Sequence, residues 1–232
     1  QCRVQRLAGY FIALQRTLRG FATHHRENPR IVLLSQGPQS PNFFEDAYLA
    51  RYMGYTLVEG ADLAVRNNQV LLKTLGGLLP VDIILRRPNS DDCDPLELQP
   101  HSPLGVAGLL QAAREGHVVV VNALGSGLVE SPVFMAFLPR LSVALLGEPL
   151  QLPGIATWWC GESDSLSYVL ANLDGLVVKR AFRQRGHESE FSQRLSRLST
   201  EQLRERIVAD PAAFVAQEKV VRSTAPVWTR ES

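Results

Sequence analysis

Two unbroken apolar runs, Ile31-Val32-Leu33-Leu34 and Val118 to Val121, set the strongest limit on how this chain can fold. Neither alternates with polar residues, so neither reads as a strand with one face in water. A strand of this kind is buried on both sides and belongs to a sheet covered by a layer on each face. Val81 to Leu85 reads as a third strand, and Leu57-Val58 begins a further short extended piece. Helical spacing fills the gaps between them. Leu7 to Leu18 puts Leu7, Phe11, Leu14 and Leu18 on one stripe, and Phe43 to Met53 ends at Gly54, a C-cap residue. Gly105 to Arg114 reads as a helix ended by Gly116, and Pro132 to Leu146 as one entered through its proline. Asn67-Asn68, flanked by Ala64 to Arg66 and Gln69 to Lys73, predicts a tight hairpin.

This alternation predicts an α/β fold with an open, mostly parallel sheet flanked by helices. It divides the chain into an N-terminal helix and linker over 1–29, a Rossmann-like α/β domain over 30–149, and an α+β region over 150–232. In that last region Thr157 to Gly161 interrupts the pattern, and Leu176 to Lys179 reads as a strand. Thr200 to Ile207 reads as a helix with Thr200 as its N-cap, and Phe214 to Val221 as extended. Ligands of open sheets bind beyond the carboxyl ends of the strands. The loops there are Ser35 to Asn42, Arg86 to Asp94 and Asn122 to Glu130.

Charge and cysteine usage narrow the function classes. Lys and Arg number 24 against 23 for Asp and Glu, a net charge of +1 that argues for neither nucleic acid nor an anionic membrane. Cys2, Cys93 and Cys160 are too few and too scattered for a disulfide framework or a clustered metal site. No apolar run approaches the roughly 18 residues of a membrane span, and no signal-peptide pattern is present. These features predict a soluble cytoplasmic protein. The chain opens Gln1-Cys2-Arg3 without a Met, which reads as an excised piece or as a chain whose ends are not all present.

Four sequence stretches can carry chemistry. Arg86-Arg87 ends the third strand and is followed by Asp91, Asp92 and Asp94. Adjacent strand residues point to opposite faces, so one arginine faces a given crevice and the other pairs with a carboxylate. The aspartates either bind Mg²⁺, a cation that prefers oxygen ligands, or form an exposed loop salt-bridged to the arginines. Asn122-Ala123-Leu124-Gly125-Ser126-Gly127 joins a strand to a helix; its glycines allow backbone amides near an anion, or make only a turn. Lys179 at a strand end can reach a phosphate as a mobile point charge, with Arg180, Arg183 and Arg185 following, or it is a solvated edge residue. Gln217-Glu218-Lys219-Val220 is either a connector that reads an adenine edge or an ordinary edge strand.

Together with “GPQSPNFFEDAYLARYMGYTLVEGADLAVRNNQVLLKTLGGLLPVDIILRRPNSDDCDPLEL”, “NALGSGLVESPVFMAFLP”, “LPGIATWWCG” and “FVAQEKVVRSTAPVW”, these stretches resemble circularly permuted ATP-grasp proteins over roughly Ile31 to Trp228. The resemblance extends to glutathionylspermidine-synthase-like, carboxylate–amine ligase-like members. It implies a pre-ATP-grasp-like sheet followed by part of an ATP-grasp subdomain, with ATP and Mg²⁺ as cofactors. The implied reaction turns a carboxylate into an acyl phosphate that an amine then attacks, with small-molecule or peptide-like substrates. An α-helical partner domain is also implied.

By position, the resemblance gives Arg86 and Arg87 a catalytic role and Asp91 and Asp92 the metal. It gives Asn42, Glu45, Asn122, Gly125, Ser126 and Gly127 the substrate. The nucleotide falls to Lys179, Arg183, Arg185, Gln217, Glu218, Lys219 and Val220. Two departures matter. Val129-Glu130-Ser131-Pro132 stands where the ligase-like branch has a lysine, and Lys179-Arg180-Ala181-Phe182-Arg183-Gln184-Arg185-Gly186 replaces a Lys-Pro followed by a Gly-Ser-Gly-Gly lid. A degenerate module that binds or scaffolds a partner is therefore the alternative. The nucleotide is expected to bind weakly or not at all to this 232-residue piece.

Overall fold

The computed structural model describes residues 6–22, 28–182 and 198–220. The chain divides into two compact units, Gln1–Gly127 and Leu128–Ser232.

In chain order the first unit contains α1 (Ala8–Gly20), β1 (Ile31–Leu34), α2 (Phe43–Met53), β2 (Thr56–Val58), β3 (Leu63–Arg66), β4 (Gln69–Thr74), β5 (Gly77–Pro80), β6 (Ile83–Arg86), α3 (Leu109–Arg114) and β7 (Val119–Val121). Strands β2-β1-β6-β7 form a parallel sheet in that order, with Leu34 opposite Val58 on one side and Arg86 on the other. The period-2 alternation of a strand sorts its side chains into two cores. Val32, Leu34, Ile84 and Val120 face one way, packed with Leu109 and Ala112 of α3 and with Leu63, Val70 and Leu72. Ile31 and Ile83 face the other way, packed with Phe11, Leu14 and Leu18 of α1 and Leu49 and Met53 of α2. The α/β architecture with a helix-flanked parallel sheet is therefore present. One face is covered by two helices, the other by α3 together with an antiparallel sheet, β3-β4-β5.

That antiparallel sheet extends the predicted hairpin. Asn67 and Asn68 both take positive φ, 50° and 60°, as the tight two-residue turn requires, and β5 adds a third strand. The chain changes sheets just before β6. Val81 N–H still donates to Val70 O of β4, while the Asp82 carboxylate accepts from the Arg30 N–H at 2.7 Å. The third parallel strand therefore starts at Ile83 rather than at Val81. The helix expected from Gly105 starts only at Leu109. Gly108 has φ +84° and cannot continue a right-handed helix, and Gly105 lies flat against the backbone of Asp92 and Cys93. Asp94, buried, accepts backbone N–H bonds from Leu96, Gly108 and Leu110, and so pins this loop to the start of α3.

The second unit contains α4 (Pro132–Leu146), β8 (Thr157–Trp159), α5 (Ser163–Ala171), β9 (Leu176–Arg180), α6 (Thr200–Ala209) and β10 (Phe214–Glu218). Its antiparallel sheet has the order β8-β10-β9. Phe214 and Ala216 face α5 and α6, burying Val169, Leu173 and Ile207. Val215 faces α4, against Val133 and Phe137. The N-cap of α6 is Ser199, not Thr200: Ser199 Oγ accepts from Gln202 N–H while Gln202 Oε1 accepts from Ser199 N–H, a complete capping box. Thr200 instead donates its hydroxyl to Asp174 Oδ1 at 3.0 Å.

Gly105 tests how tightly the loop before α3 is packed. A Cβ there would lie 2.6 Å from Asp92 O and 2.8 Å from Cys93 C, both rigid backbone atoms, whereas one at Gly127 meets nothing within 4 Å. Gly105→Ala should therefore lower the stability of this unit by about 2 kcal/mol or more, and Gly127→Ala should stay within about 0.5 kcal/mol. Urea unfolding of the two variants checks the contrast.

Candidate functional site

The strand order makes β1 and β6 the switch point of the parallel sheet. The chain leaving β1 enters α2 on one face, and the chain leaving β6 leads to α3 on the other. In open parallel sheets the ligand crevice lies where such connections part, beyond the carboxyl ends of the two strands. Ser35 ends β1 there, its N–H on Val58 O, and Arg87 N–H donates to Leu34 O. The paired arginines of the sequence thus stand at the mouth of the crevice.

Their side chains diverge. Arg87 turns toward α2, where Nε donates to Asp46 Oδ1 at 2.5 Å and Nη2 to Glu45 Oε1 at 2.8 Å. Glu45 is 68% exposed and Asp46 only 1%. Asp46 Oδ2 also accepts from Ser35 Oγ at 3.0 Å, and that hydroxyl accepts from Gly37 N–H at 3.2 Å. One buried carboxylate therefore ties the loop after β1 to the arginine that ends β6. Asp46 is absent from the residues picked out of the sequence; its signal was a second acidic residue in the first turn of α2 beside Glu45. Asn42 precedes α2, exposed, with no side-chain cap bond.

Arg86 turns toward the Gly-rich loop. Nε donates to Asn122 O at 3.1 Å, Nη2 to Ser126 Oγ at 3.4 Å and Nη1 to Pro88 O at 2.5 Å. Gly125 has φ +88°, a conformation that favours glycine, and its N–H donates to Ser90 Oγ. Ser126 N–H donates to Ala123 O. Two of the loop's amides are thus committed within the protein, and the charge available to an anion at this turn is that of Arg86. Gly127 is at neither a positive φ nor a tight contact.

Asp91 and Asp92 lie in the 3-10 turn Ser90–Cys93, and each is engaged with other groups of the protein. Among the described residues no group of three His, Cys, Asp or Glu side chains is placed to hold a metal ion. Cys93 is no nucleophile. Its Sγ contacts Asn89 O at 3.2 Å, and burial pushes the thiol up to about 11 against the opposing pull of the Arg86 charge. Burial raises Cys160 to about 11 as well.

In the second unit Lys179 of β9 and Gln217 of β10 share the sheet face that also carries Val215. Lys179 Nζ donates to Gln217 Oε1 at 2.5 Å. Gln217, 3% exposed, donates through Nε2 to Thr157 Oγ1 at 3.1 Å and contacts Met135 Sδ at 3.2 Å. The Thr157 hydroxyl donates to Ile155 O at 2.8 Å, so toward Gln217 it can only accept. That fixes the amide with its carbonyl toward Lys179 and leaves the remaining ammonium hydrogens for an anion. β10 is the central strand, with Gln217 registered against both Thr157 and Val177. Gln217 therefore offers a ligand its side chain, not its main chain, and Glu218 N–H is spent on Ala156 O. Lys219 and Val220 follow the strand outside any regular element. Arg183 and Arg185 lie outside the described residues.

A family model described as “Circularly permuted ATP-grasp type 2” matches residues 1–232. Uncharacterized protein Rv2567 of Mycobacterium tuberculosis is 40% identical over 214 residues, covering 92% of this chain and 24% of the relative. Uncharacterized protein Rv2411c of the same organism is 35% identical over 97% of this chain and 41% of its own length. Uncharacterized protein sll0335 of Synechocystis is 34% identical over 96% and 46%. The chain spans less than half the length of each of these relatives.

The crevice geometry makes two predictions. Removing a buried partner of a charge pair leaves an uncompensated charge, whereas exposed pairs contribute little. Asp46→Ala should cost about 3 kcal/mol, the low end for a pair whose arginine is part-exposed, and Glu45→Ala no more than about 1 kcal/mol, read from urea midpoints. The buried thiols set the alkaline limb. Above pH 9.0, the ordinary thiol value, the unfolded chain releases protons that folded Cys93 and Cys160 hold until about pH 11. The folded state then binds more protons, so stability falls as pH rises through that window. Thermal melts of the wild type and of Cys93→Ala/Cys160→Ala across this range should show a shallower decline in the variant.

Proposed function

The chain belongs to the circularly permuted ATP-grasp type 2 family, and on that footing we propose that the full-length polypeptide is an ATP-dependent ligase joining a carboxylate to an amine. The coarse assignment, an ATP-dependent ligase of the permuted type acting on small molecules, is what the family supports. The finer reading is an acyl-phosphate route, in which the carboxylate oxygen bonds to the terminal phosphorus as the bond to ADP breaks. The amine nitrogen then takes the acyl carbon, phosphate leaves, and the amine gives up a proton.

The observation that carries this reading is the ammonium of Lys179, aimed by the buried Gln217 amide. A lysine fixed this way meets a phosphate without first ordering its own side chain, and preorganised charge of this kind stabilises developing negative charge. In the other unit, Arg86 is the cation offered to a carboxylate, with Asn42, Asn122 and the turn at Gly125 to Gly127 as its neighbours in that reading, while Arg87, already paired to Glu45 and Asp46, orders the loop. ATP would supply the phosphoryl group, and Mg²⁺, brought with the nucleotide, would neutralise charge on it. The described residues gather no oxygen-ligand cluster for the cation, so no step is assigned to Asp91 or Asp92. Lys219 and Val220, beyond the ladder, are the better source of main-chain contacts to adenine than Gln217 or Glu218. A helical partner domain and a cytoplasmic location belong to the same proposal; among the described residues no helix is long and apolar enough to cross a membrane.

A degenerate module that scaffolds a partner is the second reading. It is favoured by Lys179-Arg180-Ala181-Phe182-Arg183-Gln184-Arg185-Gly186, which has one glycine in place of the three in a Gly-Ser-Gly-Gly lid. Calorimetric titration of Mg-ATP separates the two. The full-length polypeptide should bind and Lys179→Ala should weaken binding by about tenfold to a hundredfold, as for loss of a hydrogen bond to a charged group. The 232-residue chain should bind more weakly than full length. Unchanged affinity in Lys179→Ala overturns the role of that lysine, and no binding to full length favours the scaffold reading.

A further inference from the structure

On the sheet face opposite Lys179, the second unit carries a groove of about 580 Å³ between the start of α5's C-terminal turn and the end of β10. Its wall is a stacked aromatic pair: the Trp158 and Tyr168 rings lie 4.6 Å apart at 29°. Trp158 packs against the core with Val169 and Ala216, and the Tyr168 ring, 44% exposed, is placed by its stacking on Trp158. Ala171 and Leu176 complete the apolar lining. Two carboxylates stand on the rim, Asp174 before β9 and Glu218 at the end of β10. Asp174 is braced by the Thr200 hydroxyl at 3.0 Å.

This combination selects by charge and by shape. Aromatic faces carry negative potential and attract cations, and two carboxylates add to that field while repelling anions. The apolar part of the lining, Trp158, Tyr168, Ala171 and Leu176, accommodates a hydrocarbon stem, while Asn172 and the two carboxylates make the rest polar. A bare metal ion would gain nothing from the aromatic wall, and a neutral hydrocarbon nothing from the rim. We propose that this groove is a subsite for a primary alkylammonium group, in which the stem lies along Trp158, Tyr168 and Leu176 and the ammonium sits between Asp174 and Glu218. The site needs no nucleotide and does not involve Lys179 or Gln217, so it stands or falls apart from the ligase reading.

The test titrates n-butylammonium into the 232-residue protein and follows the indole N–H resonances by NMR, with n-butanol and butyrate as stem-matched controls. Butylammonium should give a saturable shift at Trp158, butanol a much weaker one and butyrate none. Asp174→Asn and Glu218→Gln should each weaken binding by about threefold to tenfold, the range for one charge at contact distance near water. Both side chains are exposed, so the fold should be kept. Raising ionic strength on the wild-type protein gives the same answer without a substitution, because an ammonium held by rim charges is screened. Equal responses to butylammonium and butanol, or an affinity indifferent to both salt and the Asp174→Asn/Glu218→Gln double variant, overturn the proposal.

Discussion

An extended strand cannot turn two consecutive side chains the same way, and at the end of β6 that constraint divides one basic dipeptide into two jobs. Pairing with β1 fixes the orientation: Leu34 lies opposite Arg86, and the next amide, of Arg87, returns to Leu34 O. Arg87 must then face α2 and Arg86 the loop after β7. The consequences run outward from there. Asp46 is buried because it answers Arg87, and Ser35 and Gly37 are ordered because they answer Asp46. On the other side Asn122 and Ser126 are held by Arg86, and Ser90 closes the same turn through Gly125. The three loops at the carboxyl rim are tied to one another through a single strand end.

The second unit solves a related problem with neutral groups. A lysine on a sheet face would ordinarily sample many rotamers in water. Here a chain of hydrogen bonds with one permitted direction removes that freedom: Thr157 spends its proton on Ile155 O, so the Gln217 amide presents N–H₂ to Thr157 and carbonyl to Lys179. A carboxylate at 217 would attract the ammonium more strongly. It would also compete with a phosphate for it, and it would leave Thr157 with no donor to accept from. The neutral amide holds the lysine without cancelling its charge.

Much of this was legible in the residues. Unalternating Ile31 to Leu34 and Val118 to Val121 announce strands buried between layers, the second starting one residue later at Val119, and Asn67-Asn68 announces its hairpin, because each signal is local. What was not legible depends on contacts far apart in sequence. Asp46 looks like any acidic residue in a helix's first turn; only Arg87, 41 positions away, makes it a buried carboxylate. The shortening of α3 follows from Gly105 lying on Asp92 and Cys93, a close approach that no periodicity encodes. The sequence of β10 leaves a connector and an edge strand equally open because it says nothing of two partners, yet the strand is central, between β8 and β9, and its main-chain groups serve the ladder. Ser199 takes the cap in place of Thr200 because Gln202 stands three residues beyond it.

The claim on which the functional account rests is that Lys179 is the lysine at the nucleotide phosphates. A mixed anhydride of ATP with a carboxylic acid transfers its acyl group to an amine lying beside the bound phosphates, and within these 232 residues Lys179 competes only with Lys73 and Lys219. Incubating the full-length polypeptide with such a reagent and sequencing its peptides by mass spectrometry locates the acylated residue. The account predicts acylation of Lys179, suppressed when Mg-ATP is present in excess. Acylation of any other lysine that Mg-ATP suppresses, with Lys179 unmodified, would contradict it.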